Sequence, residues 1–239
     1  MTASAPTLDV VAIGNAIVDV LARSDDAFLA QHALTKGGMQ LIDAAMAESL
    51  YADMPQAKEI SGGSAANTLA GLAALGKKCG FIGQVNDDQL GEVFAHDVHA
   101  LGIRFDTPAM KGDVPTARCL ILVTPDAQRT MNTYLGVSAD LSINEIDFEA
   151  AKKSEYVYIE GFLVSSDSAR KAIMELKNCA KNSDVKVALT FSDPAVVTHF
   201  KDAIDDVLNT DVGKMIDLLL GDNTTDRKGY QLPTEFDFI

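Results

Sequence analysis

Asp19 is the lone charge in the apolar run AIVDVLA, and Asn15 lies four residues before it. A carboxylate withdrawn from water needs donors that replace its lost hydration. Two neighbouring hydroxyls of a small polyol would supply them; the alternative is a turn aspartate that faces solvent. Further on, EISGGSAANTLAGLAALGKK sets Gly62 and Gly63 directly before Ser64 and an alanine-rich helical stretch that carries Asn67. Adjacent glycines at a helix start imply positive φ, close approach of another group to the main chain, or a hinge. Amides left open in this way admit a ligand hydroxyl or a small anion. Asn67 either caps its own backbone or bonds a ligand. Glu160 and Phe162 follow at the end of YVYIEGF, where Phe162 is either a core residue or a stacking face for a flat ring.

The elements that must position these groups read as an α/β alternation. Strand-like apolar runs fall at 9–14, 79–85, 156–162, 186–191 and 216–221, and helical patterns at about 43–52, 64–76, 88–101, 167–181 and 195–208. Such alternation predicts a mainly parallel sheet covered by helices on both faces. In open sheets of this kind ligands bind beyond the carboxyl ends of the strands, which is where Asn15 and Glu160 fall. Asp88 is placed to cap the fourth helical segment's start, with Gly102 after its end. Asp167 or Ser168 is placed to start SARKAIMELKNCAKN, in which Ala169, Ile173, Leu176 and Ala180 share one face. Three pieces break the alternation: the stretch at 15–24, a short one at 37–42, and TARCLILVT–PDAQ–RTMNTYLG within 115–136, which reads as a hairpin. They are expected to form a small β lid over one edge of the main sheet.

Bulk composition narrows the function classes. With 239 residues, 47% of them apolar, the chain can fill a substantial core. A net charge of −14 argues against a nucleic-acid partner or an anionic membrane surface, both of which need clustered Lys and Arg. No run approaches the roughly 18 apolar residues of a bilayer span, and the first residues lack a basic-then-apolar leader, so a cytoplasmic protein is expected. Cys79, Cys119 and Cys179 are odd in number and far apart, which reads as reduced thiols in or near the core.

Taken together, AIGNAIVDVLA, SGGSAANTLAGLAALG, FIGQVNDDQLGEVFAHDVHALGI, the hairpin and YVYIEGFLV resemble the ribokinase-like (PfkB) sugar kinases, in the branch similar to adenosine kinase. The resemblance runs in order along nearly the whole chain to about residue 220. It implies a ribokinase-like three-layer α/β sandwich with a mainly parallel sheet and a small β-strand lid. It also implies transfer of a phosphoryl group from ATP, with Mg2+, to a hydroxymethyl or 5′-hydroxyl group of a nucleoside or sugar. Carried over residue by residue, Asp19 would bind the ribose hydroxyls with Asn15 beside it. The Gly62 and Gly63 amides, Ser64 and Asn67 would hold the same sugar, and the glycine pair would double as the lid hinge. Phe162 would stack on a purine, and Glu160 would reach magnesium through water. Lid strands in such kinases can also serve as surfaces of a homodimer.

The chain departs from that pattern downstream. In this family an aspartate in a GAGD-type motif takes the proton from the attacking hydroxyl, and no GAGD occurs in these residues. The NTTD at 223–226, with Asn223 and Asp226, only partly matches the family's NxxE magnesium motif. The resemblance therefore implies that the catalytic base lies outside this chain, and binding without transfer stands as the rival function. A dinucleotide-binding dehydrogenase is disfavoured, because AIGNAIVD stands where its glycine fingerprint would be. A bulky residue at Gly63 is expected to impair ligand contact more than stability.

Overall fold

The structure, a computed structural model, describes residues 7–208 and 218–220. Ten strands run along the described residues: β1 (Leu8–Ile13), β2 (Ile17–Arg23), β3 (Met39–Leu41), β4 (Lys58–Gly62), β5 (Cys79–Ile82), β6 (Ala117–Val123), β7 (Arg129–Tyr134), β8 (Ser154–Ile159), β9 (Lys186–Thr190) and β10 (Leu218–Leu220). The helices are α1 (Asp26–Gln31), α2 (Ala44–Asp53), α3 (Ser64–Ala74), α4 (Gln89–Ala100), α5 (Phe148–Lys152), α6 (Asp167–Asn182), α7 (Pro194–His199) and α8 (Lys201–Leu208).

Two five-stranded sheets result. The first, in the order β10-β9-β8-β1-β5, is parallel throughout. Strand β1, paired on both sides with β8 and β5, ends in an unbroken buried run from Val11 to Ile13, as expected of a strand covered on both faces. The second sheet, β3-β7-β6-β2-β4, mixes parallel and antiparallel pairs. In β2 the side chains alternate: Val18, Val20 and Ala22 are buried, whereas Ile17, Asp19 and Leu21 on the opposite face are only half-buried. This sheet collects the three pieces that broke the alternation, and its hairpin turns between Val123 and Arg129 in the observed β6–β7 register.

Local chemistry sets the helix ends. Asp88 accepts from the Gly91 amide at 2.8 Å to start α4, and Gly102 follows at φ 75°. Ser166, one residue before Asp167 and two before Ser168, caps α6, whose Ala169, Ile173, Leu176 and Ala180 are all fully buried. The expected helix over 195–208 is instead two, divided at Phe200, after the β-branched run Val196–Thr198 that resists helix continuation. The short helices α1 and α5, and strand β4, have no counterpart in the sequence reading. Strand β4 is an edge strand of sequence KEISG, polar enough to hide its character, and only its antiparallel pairing with β2 defines it.

Of the thiols, Cys79 and Cys119 are buried, Cys179 is partly so, and all three are unpaired. No helix among the described residues is long and apolar enough to cross a membrane.

One lysine lies in the core. Lys177 of α6 is 0% exposed, its Nζ donates to the Val207 carbonyl at the end of α8, and burial pushes its ammonium down to about 8. Because the unfolded chain keeps its proton up to the ordinary value of 10.5, the resulting stability cost is full below about pH 8 and fades above it. Lys177→Met should therefore raise the melting temperature at pH 7 by about 2–4 °C. Melts at pH 7 and pH 10 should show that advantage shrinking at the higher pH.

Candidate functional site

Among the described residues four passages carry the chain between the sheets, and the candidate residues sit on the first two crossings. The first runs from the carboxyl end of β1 through Gly14, Asn15 and Ala16 into β2. The second leaves β4 through Gly62 and Gly63 and enters α3 at Ser64. Glu160, just past β8, reaches both. Its Oε2 accepts from the Asn15 main-chain N–H at 2.7 Å and from Asn15 Nδ2 at 3.1 Å. Its Oε1 accepts from the Ser64 hydroxyl and from the Ala65 N–H at 3.2 Å. The residue is 1% exposed, and burial pushes its carboxyl above the ordinary range while these donors pull it back.

This geometry corrects one expectation. Both carboxylate oxygens of Glu160 are filled by protein donors, so it is a buried tie between chain segments and not an open ligand for magnesium. Nor does any group of three or more His, Cys, Asp or Glu among the described residues have the arrangement to hold a metal.

Asp19 occupies the half-buried face of β2, opposite Ile60 of β4 and Cys119 of β6. Its carboxyl group rests on the main chain of Gly62, where a Cβ would lie 2.4 Å from each carboxyl oxygen. Only glycine fits there. Burial pushes Asp19 up to about 6, opposed by the positive field of Arg129. Cys119, bonded by the Thr133 hydroxyl at 3.3 Å, is pushed up to about 11 and remains a neutral neighbour.

Gly63 has φ 89°, and a Cβ there would stand 2.6 Å from the Asn15 carbonyl oxygen. A bulky residue at this point strains the backbone as well as the ligand face, so a stability cost accompanies whatever is lost in ligand contact. Gly63 itself is the N-cap of α3, and no side chain caps that helix. Asn67 therefore does not bond its own backbone amides as a cap; its side chain is exposed on the first turn. Phe162 lies in the 3-10 turn Gly161–Ser165 and packs, half-buried, against the core of the parallel sheet, which favours the core alternative.

The structure thus brings together Asn15, Asp19, Gly62, Gly63 and Ser64, leaves Asn67 on the adjoining helix face, and sets Phe162 against the core. Sequence reading missed Arg129. It is exposed, and no ion pair of its own is found among the described residues. Its available signal was register: in the β6–β7 hairpin Thr133 pairs with Cys119 and Cys119 with Asp19, and Arg129 has the same parity on β7 as Thr133.

The parallel sheet is thus joined at its carboxyl edge to the second sheet by a glycine pair and an Asn-x-x-x-Asp segment. Residues 9–214 match the pfkB family of carbohydrate kinases, and the chain belongs to it. A solved adenosine kinase from Sinorhizobium meliloti superposes with a TM-score of 0.82 at 42% identity, over 89% of this chain and 64% of that one. The adenosine kinase of Saccharomyces cerevisiae is 29% identical over 214 residues, 84% of this chain and 61% of the yeast protein. A 5-dehydro-2-deoxygluconokinase from Clostridium botulinum is 31% identical over 169 residues, 69% of this chain and 49% of that protein. The chain therefore spans less than two thirds of the length of these relatives.

Two substitutions test the Asp19 environment. Gly62→Ala should cost about 1–3 kcal/mol in urea unfolding, because the new methyl group collides with the carboxylate. Arg129→Gln should move the Asp19 carboxyl, followed by its carbon resonance in an NMR titration, further above about 6, since it removes the charge that holds the value down.

Proposed function

We propose that this chain binds the acceptor of a kinase that transfers the phosphoryl group of ATP to a hydroxymethyl or 5′-hydroxyl group, with adenosine as the acceptor. The observation that carries this reading is the Asp19 carboxylate seated on Gly62 beside the Asn15 turn: a half-buried acceptor whose missing hydration a vicinal diol replaces with two hydroxyl donors. Similarity to adenosine kinases at 42% and 29% identity supports the nucleoside, and similarity to a gluconokinase at 31% supports a sugar as the competing acceptor.

In this reading the second sheet is a lid. Gly62 and Gly63 form one pivot, with the first crossing, at Ala16, as the other. Closure would bring the apolar face that carries Asp19 over the bound acceptor and exclude water from it. The described residues do not fit a magnesium site, for the reasons given above for Glu160, and none of them is assigned to ATP. Absence of a GAGD sequence favours a second reading, in which this chain binds the acceptor without transferring a phosphoryl group.

Calorimetry and thermal shift against adenosine, inosine, guanosine, ribose and fructose, with and without ATP and Mg2+, test the reading. Adenosine should bind tightest, and binding of none of the five would overturn the assignment. Affinity should also follow Asp19. The ionised carboxylate accepts both hydroxyls, so affinity is full above about pH 6 and falls by up to about tenfold per pH unit below it. Asp19→Asn should bind weakly with a flat profile over the same range. The free protein has the opposite dependence at this residue. Its folded carboxyl lies above the unfolded one, so the stability cost is full above about pH 6 and is relieved as pH falls toward 3.8.

A further inference from the structure

The four donors on Glu160 are not equivalent. Three of them, the main-chain N–H groups of Asn15 and Ala65 and the hydroxyl of Ser64, hold backbone or a short side chain in place. The fourth, Asn15 Nδ2, belongs to a side-chain amide with two opposite ends, and an ionised carboxylate can meet only the donor end. Asn15 is buried, and its Oδ1 accepts from no donor among the described residues.

We infer that Glu160 is a positioning residue that fixes the orientation of the Asn15 amide, so that Oδ1 is the group offered to the bound molecule and the site selects an acceptor that donates a hydroxyl at that point. The inference rests on the acceptor-binding reading above. With Oδ1 and the Asp19 carboxylate both accepting, the first crossing offers its ligand acceptors from Asn15 and Asp19, which suits a polyhydroxylated sugar ring and disfavours a deoxy or O-alkylated one. The second crossing is tied to the same carboxylate through Ser64 and Ala65, so the start of α3, just after the Gly62–Gly63 pair, is held in a fixed relation to Oδ1. Any lid pivot must then lie outside the tied residues.

Glu160→Gln is the direct test. A glutamine places an NH2 group against either the Asn15 pair or the Ser64 and Ala65 pair, so the Asn15 amide is freed or reversed. Adenosine affinity by calorimetry should fall at least tenfold, with a melting temperature within a few degrees of the wild type and a shift of the Asn15 side-chain amide signals in NMR. Unchanged affinity, or unchanged Asn15 signals, would overturn the inference. Ser64→Ala leaves the Asn15 pair intact and should leave the Asn15 side-chain amide signals where they are in the wild type; a shift there as large as that of Glu160→Gln would show that Glu160 acts through α3 instead. Should Glu160→Gln fail to fold, the wild-type chain decides. Two distinct, exchange-protected Asn15 Nδ2 protons support the inference, and rapidly averaged ones sink it. These signals are read on the free chain, so a wild type that binds no adenosine would remove the acceptor-binding reading and still report on the tie.

Discussion

Burying an ionised carboxylate costs several kcal/mol unless donors replace the water it gives up, and at the junction of the two sheets Glu160 has four such donors from two distant segments. Those donors are the first residue of one crossing that has a usable side chain and the first turn of the helix that follows the other. Removing the carboxylate would leave two buried main-chain N–H groups without partners. The arrangement is therefore held from both sides: the charge needs the crossings, and the crossings need the charge. Everything that the candidate site presents to a ligand is placed relative to this tie.

Asp19 lies beyond it, and its environment is of a different kind. Where Glu160 is satisfied internally, Asp19 has no hydrogen-bond donor from the protein among the described residues; burial raises it, and Arg129 opposes the shift only through its field. Two buried or half-buried carboxylates thus take two roles according to what surrounds them. The one with a full set of donors is structural. The one pressed onto a glycine and short of donors is the group that the proposed function gives to a ligand.

Much of this was legible in the sequence, and the failures have physical causes. The parallel sheet was readable because its strands are nearly continuous apolar runs, and α6 because Ala169, Ile173, Leu176 and Ala180 repeat at helical spacing. The glycine pair and the lone Asp19 were visible as departures from their surroundings, but their contact was not, since it depends on a register in which Ile17 faces Gly62. Strand β4 escaped notice because an edge strand has little need for apolar side chains. The resemblance gives Glu160 to magnesium through water, because a single acidic residue at a strand end gives no sign of whether its partners are water, metal or protein. Its partners lie 145 and 95 residues away in sequence. Arg129 was lost in a hairpin whose alternation says which residues share a face without saying what they meet across it.

That sequence separation has a further consequence for how the site comes to exist. Asn15, Asp19, Gly62, Gly63 and Ser64 all fall between the end of β1 and the start of α3, and the antiparallel pairing of β2 with β4 brings Asp19 to Gly62 across a shorter stretch of chain than separates either from Glu160. The orientation of Asn15 and the start of α3, in contrast, wait for β8 to pair with β1, where Ile159 comes into register with Ile13 and delivers Glu160. Long-range parallel pairing of this kind forms late, because loop closure must be accomplished before the contact stabilises anything. The contact of Asp19 with Gly62 can thus be assembled early, while the orientation of Asn15 depends on completing the parallel sheet. Recognition is in this sense a property of the finished α/β core rather than of the segment that carries the contacting residues.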